Sequence, residues 1–144
     1  MQIKKLDVRG PRGGYAVKDL NLTLNSHEIV GIAGVAGNGQ KELFEALVGI
    51  QSPVSGEVWL GTKDITHCPP SEILAAGVGH IPQDRYREGL IGQLSIVDNM
   101  LLGMHRSAKF LRRGFLDQER VRTLAQDQVD KFEIVAPSID TLVS

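Results

Sequence analysis

Cysteine occurs once in the 144 residues, at Cys68. A single thiol excludes an internal disulfide and a zinc centre built on cysteine pairs, and it fits a reducing, cytoplasmic setting. Neither sign of charge is in excess. Lys and Arg number 16 and Asp and Glu 17, for a formal net charge of -1. That balance sets up no strong field for nucleic acid or for a membrane, and no nucleic-acid partner is expected. No apolar run approaches the ~20 residues of a spanning helix. Met1–Asp7 lacks the apolar core of a secretion signal. Internal repeats and low-complexity segments are missing too. What is present is enough chain for one domain with a real core.

That chain is organised around the stretch Glu28–Gly49. Ile29–Ala33 is a short apolar run with β-branched residues, which predicts a buried strand. Gly34, Gly37 and Gly39 follow within six positions. Gln40–Val48 then carries Leu43, Phe44, Leu47 and Val48, the stripe of a helix packed on one face. A glycine turn between a buried strand and a helix N-terminus is an anion site, with converging N–H groups and the positive end of the helix dipole. Phosphate is the expected guest.

The phosphate-loop pattern G-x-x-x-x-G-K-[ST] is met at Gly34 and Gly39 and then fails. Gln40 stands where a lysine would reach the β- and γ-phosphates, and Lys41 where a hydroxyl would hold Mg²⁺. The backbone cradle, Gly34, Val35, Ala36, Gly37, Asn38 and Gly39, is therefore kept without its usual side chains. A slip of one residue would let Lys41 replace the missing lysine, but it turns the side chain by about 100°. The dinucleotide fingerprint is rejected, because its third glycine would fall on Glu42. A tight turn that binds nothing is the plain alternative.

Around this centre, Ile3–Val8 predicts a strand, and Arg9–Gly14 a turn. Ala16–Leu24 alternates in part, and from Leu20 onward it predicts a half-exposed antiparallel strand. Tyr15 either stacks on a base or caps the strand edge. Gly49 suits a left-handed helix cap. Glu57–Leu60 predicts a strand closed by a hairpin turn at Gly61–Asp64, with Trp59 facing the core or, as the second reading, a partner. Glu72–Ala76 predicts a short helix stopped by Gly77. Val78–Pro82 predicts a strand that includes His80 and leads to Gln83, which is placed to reach a ligand at a sheet edge or else sits in a solvated loop. Ser95 and Asp117 are helix caps. Between them, Gly103–Gly114 gathers Arg106, Lys109, Arg112 and Arg113 with no acidic residue. That patch reads as a solvated loop, with an anionic partner as the second reading. The tail after Ile134 has no clear element of its own.

A second hairpin carries Pro53-x-Ser55-Gly56-Glu57-Val58 and Gly61-x-x-Asp64-Ile65. With the antiparallel pair, the glycine loop and Gln83, this order resembles the nucleotide-binding domain of ABC transporters over essentially the whole chain. Gly37-Asn-Gly-Gln-Lys-Glu-Leu43, and Gly79-His-Ile-Pro-Gln-Asp-Arg85 with Gly89-Leu90, resemble the degenerate second ATP-binding domain of fused importer ATPases for sugars or nucleosides. The nucleoside importers are the closer match.

The resemblance implies an α/β fold: a P-loop NTPase-type sheet, an antiparallel β subdomain and the start of a helical subdomain, truncated before the signature motif. It implies a partial ATP-binding domain over 1–144, with 1–94 as β and P-loop core and 95–144 as helical subdomain. Gly34–Lys41, with Glu42 beside them, would hold ATP weakly. Mg²⁺ is doubtful, no residue is catalytic, and efficient hydrolysis is not expected. Gln83 would be the glutamine loop. The implied partners are a companion ATP-binding domain and membrane permease subunits, at the inner face of the cell membrane. The competing reading is a docking module that binds no nucleotide. An independent metabolic kinase is disfavoured by the missing lysine.

Overall fold

The computed structural model describes residues 1–35, 37–104 and 107–143. The chain divides into two compact units, Met1–His80 and Ile81–Ser144.

In the first unit, β1 (Gln2–Arg9) and β2 (Tyr15–Thr23) form an antiparallel pair. β3 (Ser55–Leu60) runs along the other side of β1, and β4 (Lys63–Asp64) closes the sheet in the order β2-β1-β3-β4. The hairpin turn expected at Gly61–Asp64 is present, with Leu60 opposite Lys63. The core is Ile3, Leu6, Val8 and Val58 from the sheet, with Leu43, Ala46, Ile65 and Ile73 packed on them.

Strict alternation would not bury Ile3 together with Leu6. Lys5 lies between them at φ 47, and the β1–β2 register shifts there, so the extra residue returns Leu6 to the inner face. Asp7 ties the sheet across: its carboxylate accepts from the Asp19 N–H and from the Ser55 hydroxyl, both at 2.7 Å. Those bonds hold its pKa below the ordinary carboxylate value, the Asp19 N–H contributing most.

Helix α1 (Gln40–Leu47) follows the glycine loop, and Gly49 takes the expected left-handed conformation at φ 77. Leu43 and Ala46 are its buried residues, whereas Phe44 is 52% exposed. The expected stripe was therefore misplaced by about one residue, a rotation of about 100°. Helix α2 (Pro70–Ala75) buries Ile73. Trp59, expected in the core, is half-buried under Lys4 and donates from Nε1 to Glu57.

The two apolar runs expected as strands of a buried sheet are not strands. Ile29–Ala33 is unpaired, Ile29 is fully exposed and Ile32 is 46% exposed. Val78–Pro82 is likewise unpaired, Ile81 is 86% exposed and His80 is exposed. A strand exists only through a neighbour's N–H and C=O groups. Among the described residues the sheet is completed by antiparallel partners alone, in the order β2-β1-β3-β4, and takes in neither run.

In the second unit, Ser95 and Asp117 cap α3 (Ile96–Met100) and α4 (Gln118–Lys131) as expected. Val97, Leu101, Phe110, Val121, Ala125 and Ile139 form its core. The polar loop after Gln83 contains a π-helical turn, Arg85–Gly89, closed by Asp84. The basic stretch, of which Arg106 lies outside the described residues, holds a 3-10 turn at Ala108–Phe110 and a hairpin of β5 (Leu111–Arg112) and β6 (Phe115–Leu116). The tail is anchored rather than loose. Ile139 is buried, Ser95 bridges to Leu142, and Arg122 grips the Asp140 carboxylate through two bonds of 2.7 Å.

Candidate phosphate-binding loop

The loop ends on Gly39, the N-cap of α1, which has φ 85. A Cβ there would run into the backbone carbonyl of Ala16. Left-handed backbone and close approach together make this a glycine position. The contact seats the loop on the first residues of β2, beside Tyr15, which is 54% exposed. Gly37 also has positive φ, and the Asn38 N–H donates to the Val35 carbonyl at 3.3 Å. Ala36 lies outside the described residues.

No side chain caps the N-terminus of α1. The first N–H groups of a helix have no intrahelical acceptor and carry the positive end of the dipole. The first i→i−4 bond here is Leu43 N–H to Gly39 C=O, at 2.9 Å. The backbone thus fits a phosphate-bearing ligand.

The side chains fit a nucleoside triphosphate less well. The Gln40 carboxamide folds back over the loop, donating to the Ile32 carbonyl at 3.4 Å. Its Nε2 lies 3.0 Å from where a Gly34 Cβ would stand. Lys41 points down the helix and pairs with Glu45 at 3.6 Å. Glu42 adds a half-buried carboxylate in the first turn. Gln40, Lys41 and Glu42 offer no hydroxyl for Mg²⁺.

The structure brings Gly34, Val35, Gly37, Asn38, Gly39, Gln40, Lys41 and Glu42 together as one loop and helix start. Gln83 is exposed at a bend in the second unit. Sequence reasoning missed the Ala16 and Ile32 carbonyls. Both act through the backbone, and a main-chain acceptor leaves no mark in residue identity.

Antiparallel sheet, glycine loop and following helix define a phosphate-loop nucleotide-binding fold of the α/β class. The ABC transporter family profile matches residues 17–140, and the chain belongs to that family. It is 37% identical over 134 residues to the nucleoside import ATP-binding protein NupA of Lactococcus lactis subsp. cremoris, covering 93% of this chain and 26% of that protein. It is 36% identical over 137 residues to the guanosine import ATP-binding protein NupO of Bacillus subtilis, covering 95% and 27%. The glucose import ATP-binding protein TsgD13 of Haloferax volcanii is 34% identical over 134 residues, covering 93% and 24%. The chain therefore spans about a quarter of the length of these curated relatives. Its fold is shared with the ATP-binding cassette MJ0796, solved with ADP and Pi, at a TM-score of 0.74 and 22% identity, over 98% of this chain and 60% of that one. No helix among the described residues is long and apolar enough to cross a membrane.

Proposed function

We propose that this chain is part of the ATP-binding component of an ABC importer for nucleosides or sugars, with a phosphate loop that binds nucleotide without efficient hydrolysis. The observation that carries the reading is the uncapped N-terminus of α1 behind Gly39. Gly34, Val35, Ala36, Gly37, Asn38 and Gly39 would cradle the phosphates through their backbone. The substrate class follows from what the relatives import, as their names state.

Binding would be weakened at three neighbouring positions. Gln40 takes a positive charge away from the phosphates, and at an effective dielectric near 20 a charge pair at about 4 Å is worth roughly 4 kcal/mol before desolvation. Lys41 brings no hydroxyl to Mg²⁺, and Glu42 adds repulsion. Mg²⁺, where bound, would neutralise phosphate charge. These residues have little with which to hold it, so nucleotide binding should depend weakly on the metal.

Within this reading residues 1–94 are the β and P-loop core and 95–144 the start of a helical subdomain. Gln83 is the glutamine loop. The partners are a companion ATP-binding domain and membrane permease subunits, at the inner face of the cell membrane. A second reading, a docking module that binds no nucleotide, is favoured by the Gln40 amide lying across the loop on Ile32.

A thermal melt with and without millimolar ATP, at fixed Mg²⁺ concentrations, separates the two. A ligand that binds only the folded state stabilises it by RT ln(1 + [L]/Kd). A melting point that rises with ATP and is indifferent to Mg²⁺ is expected. A cooperative melt that ignores ATP would replace this reading with the docking module.

A further inference from the structure

The β5–β6 hairpin is a two-residue turn with its two faces sorted. Leu111 pairs with Leu116, and Leu116 packs against the core of the second unit. Arg112 pairs with Phe115. A pleated strand sends successive side chains to opposite faces, so the Arg112–Phe115 pair lies on the side away from Leu111 and Leu116. Arg113 at φ 53 and Gly114 at φ 86 close the turn, both with the positive φ of the tight hairpin type that suits the twist of paired strands. The tip is thus held in one shape. Its base is held too, because the Asp117 N–H donates to the Phe110 carbonyl at 2.8 Å and Phe110 is buried.

Phe115 is 80% exposed. Lys109, Arg112 and Arg113 are exposed, and among the described residues none of them forms an ion pair. The nearest carboxylates do not cancel them. Asp117 is taken by Arg120 at 3.3 Å, and Glu119 and Asp127 line the same shallow hollow as Arg112 without pairing to it. The local sum stays positive in a chain whose formal charge is -1.

A single exposed apolar side chain is ordinary. An exposed aromatic ring flanked by unpaired cations on a tight hairpin is a composition that settles at a lipid–water interface. We propose that the Leu111–Leu116 hairpin is an interfacial anchor: Phe115 enters the headgroup layer of an anionic membrane, and Lys109, Arg112 and Arg113 bind its phosphates. The proposal does not depend on nucleotide binding by the first unit, so either can fail alone.

The test is co-sedimentation of the whole chain with vesicles of phosphatidylcholine, alone or mixed with phosphatidylglycerol. Binding is expected only to the mixed vesicles, and it should fall as salt is raised. Each cation near such a surface contributes roughly fivefold. The double variant R112Q/R113Q should therefore lose about thirtyfold in partitioning while its circular-dichroism melt stays unchanged. If that variant does not fold, the salt titration of the unaltered chain reads the same charges. In the variant Phe115→Trp, emission should shift to the blue on mixed vesicles. Equal binding to both vesicle types, no loss in R112Q/R113Q, or salt-independent binding would overturn the proposal. So would full retention of binding by Phe115→Ser together with equal affinity for soluble polyglutamate, which would assign the patch to an acidic protein surface.

Discussion

Helices α1 and α4 start in opposite ways. At α4 the Asp117 carboxylate accepts from the Arg120 N–H at 3.3 Å, and the Arg120 guanidinium pairs back to it at 3.3 Å. The helix end is satisfied from within its own sequence. At α1 the cap is Gly39, with no side chain to offer, and the neighbouring side chains turn elsewhere: Gln40 to the Ile32 carbonyl, Lys41 to Glu45. A closed N-terminus is a stability device, and an open one leaves its dipole and N–H groups to an outside anion. The two caps differ in backbone as well, left-handed at Gly39 (φ 85) and extended at Asp117 (φ -83), so one residue sets both the path into the helix and whether its end is closed.

The largest effect should come from Gly39→Ala. A left-handed non-glycine residue pressed on the Ala16 carbonyl should cost roughly 3 kcal/mol or more in a urea titration, and any stabilisation by ATP should vanish. A wild-type-like midpoint would mean that the loop is not fixed against β2. Next is the double change Gln40→Lys and Lys41→Ser, which restores a cation and a hydroxyl. Calorimetry should show Mg-ATP binding tightened about tenfold or more, the size of a charged hydrogen bond. An unchanged affinity would sink the account of the weak cradle.

Asp117→Ala should cost about 1 kcal/mol of stability and leave the response to ATP untouched. If it altered nucleotide binding, the contrast between the two helix starts would fail. The smallest effect is in acid. Asp140 has its pKa held low by its bonds to Arg122, and Asp7 by its bonds to Asp19 and Ser55. A depressed carboxyl pKa contributes stability that is complete above its unfolded value, about 4, and fades as the pH falls through the folded one. Melts from neutral pH downward should lose stability only below about pH 4 from these groups. Asp140→Asn should shrink that loss.

The two hairpins of the first unit were legible because their partners are close in sequence. β1–β2 and β3–β4 are hairpins with short turns, marked by Arg9–Gly14 and by Gly61, whereas the pairing of β3 with β1 spans the glycine loop and α1 and left no local sign. Ile29–Ala33 and Val78–Pro82 have the composition of buried strands, but composition does not supply a neighbour. Phe44 was misplaced because a short helix offers too few turns to fix its face. Lys5 was invisible as a bulge, since any residue can occupy one and only the partner strand reveals it. The glycines of the loop were read from spacing alone. The Gln40–Ile32 contact was not, because it depends on one rotamer choice and a backbone oxygen.

The positive φ of Asp19 has a consequence for how this protein meets copies of itself. β2 is an outer strand of the four-stranded sheet, and an outer strand offers free N–H and C=O groups to any extended segment that drifts by. Asp19 at φ 48 interrupts that row midway, its N–H is already given to Asp7, and Lys18 stands next to it. β4, on the other side, is two residues long. The β2 border is broken midway and β4 is too short to extend the other, so backbone shape makes this sheet a poor template for fibrous self-association before any surface charge acts.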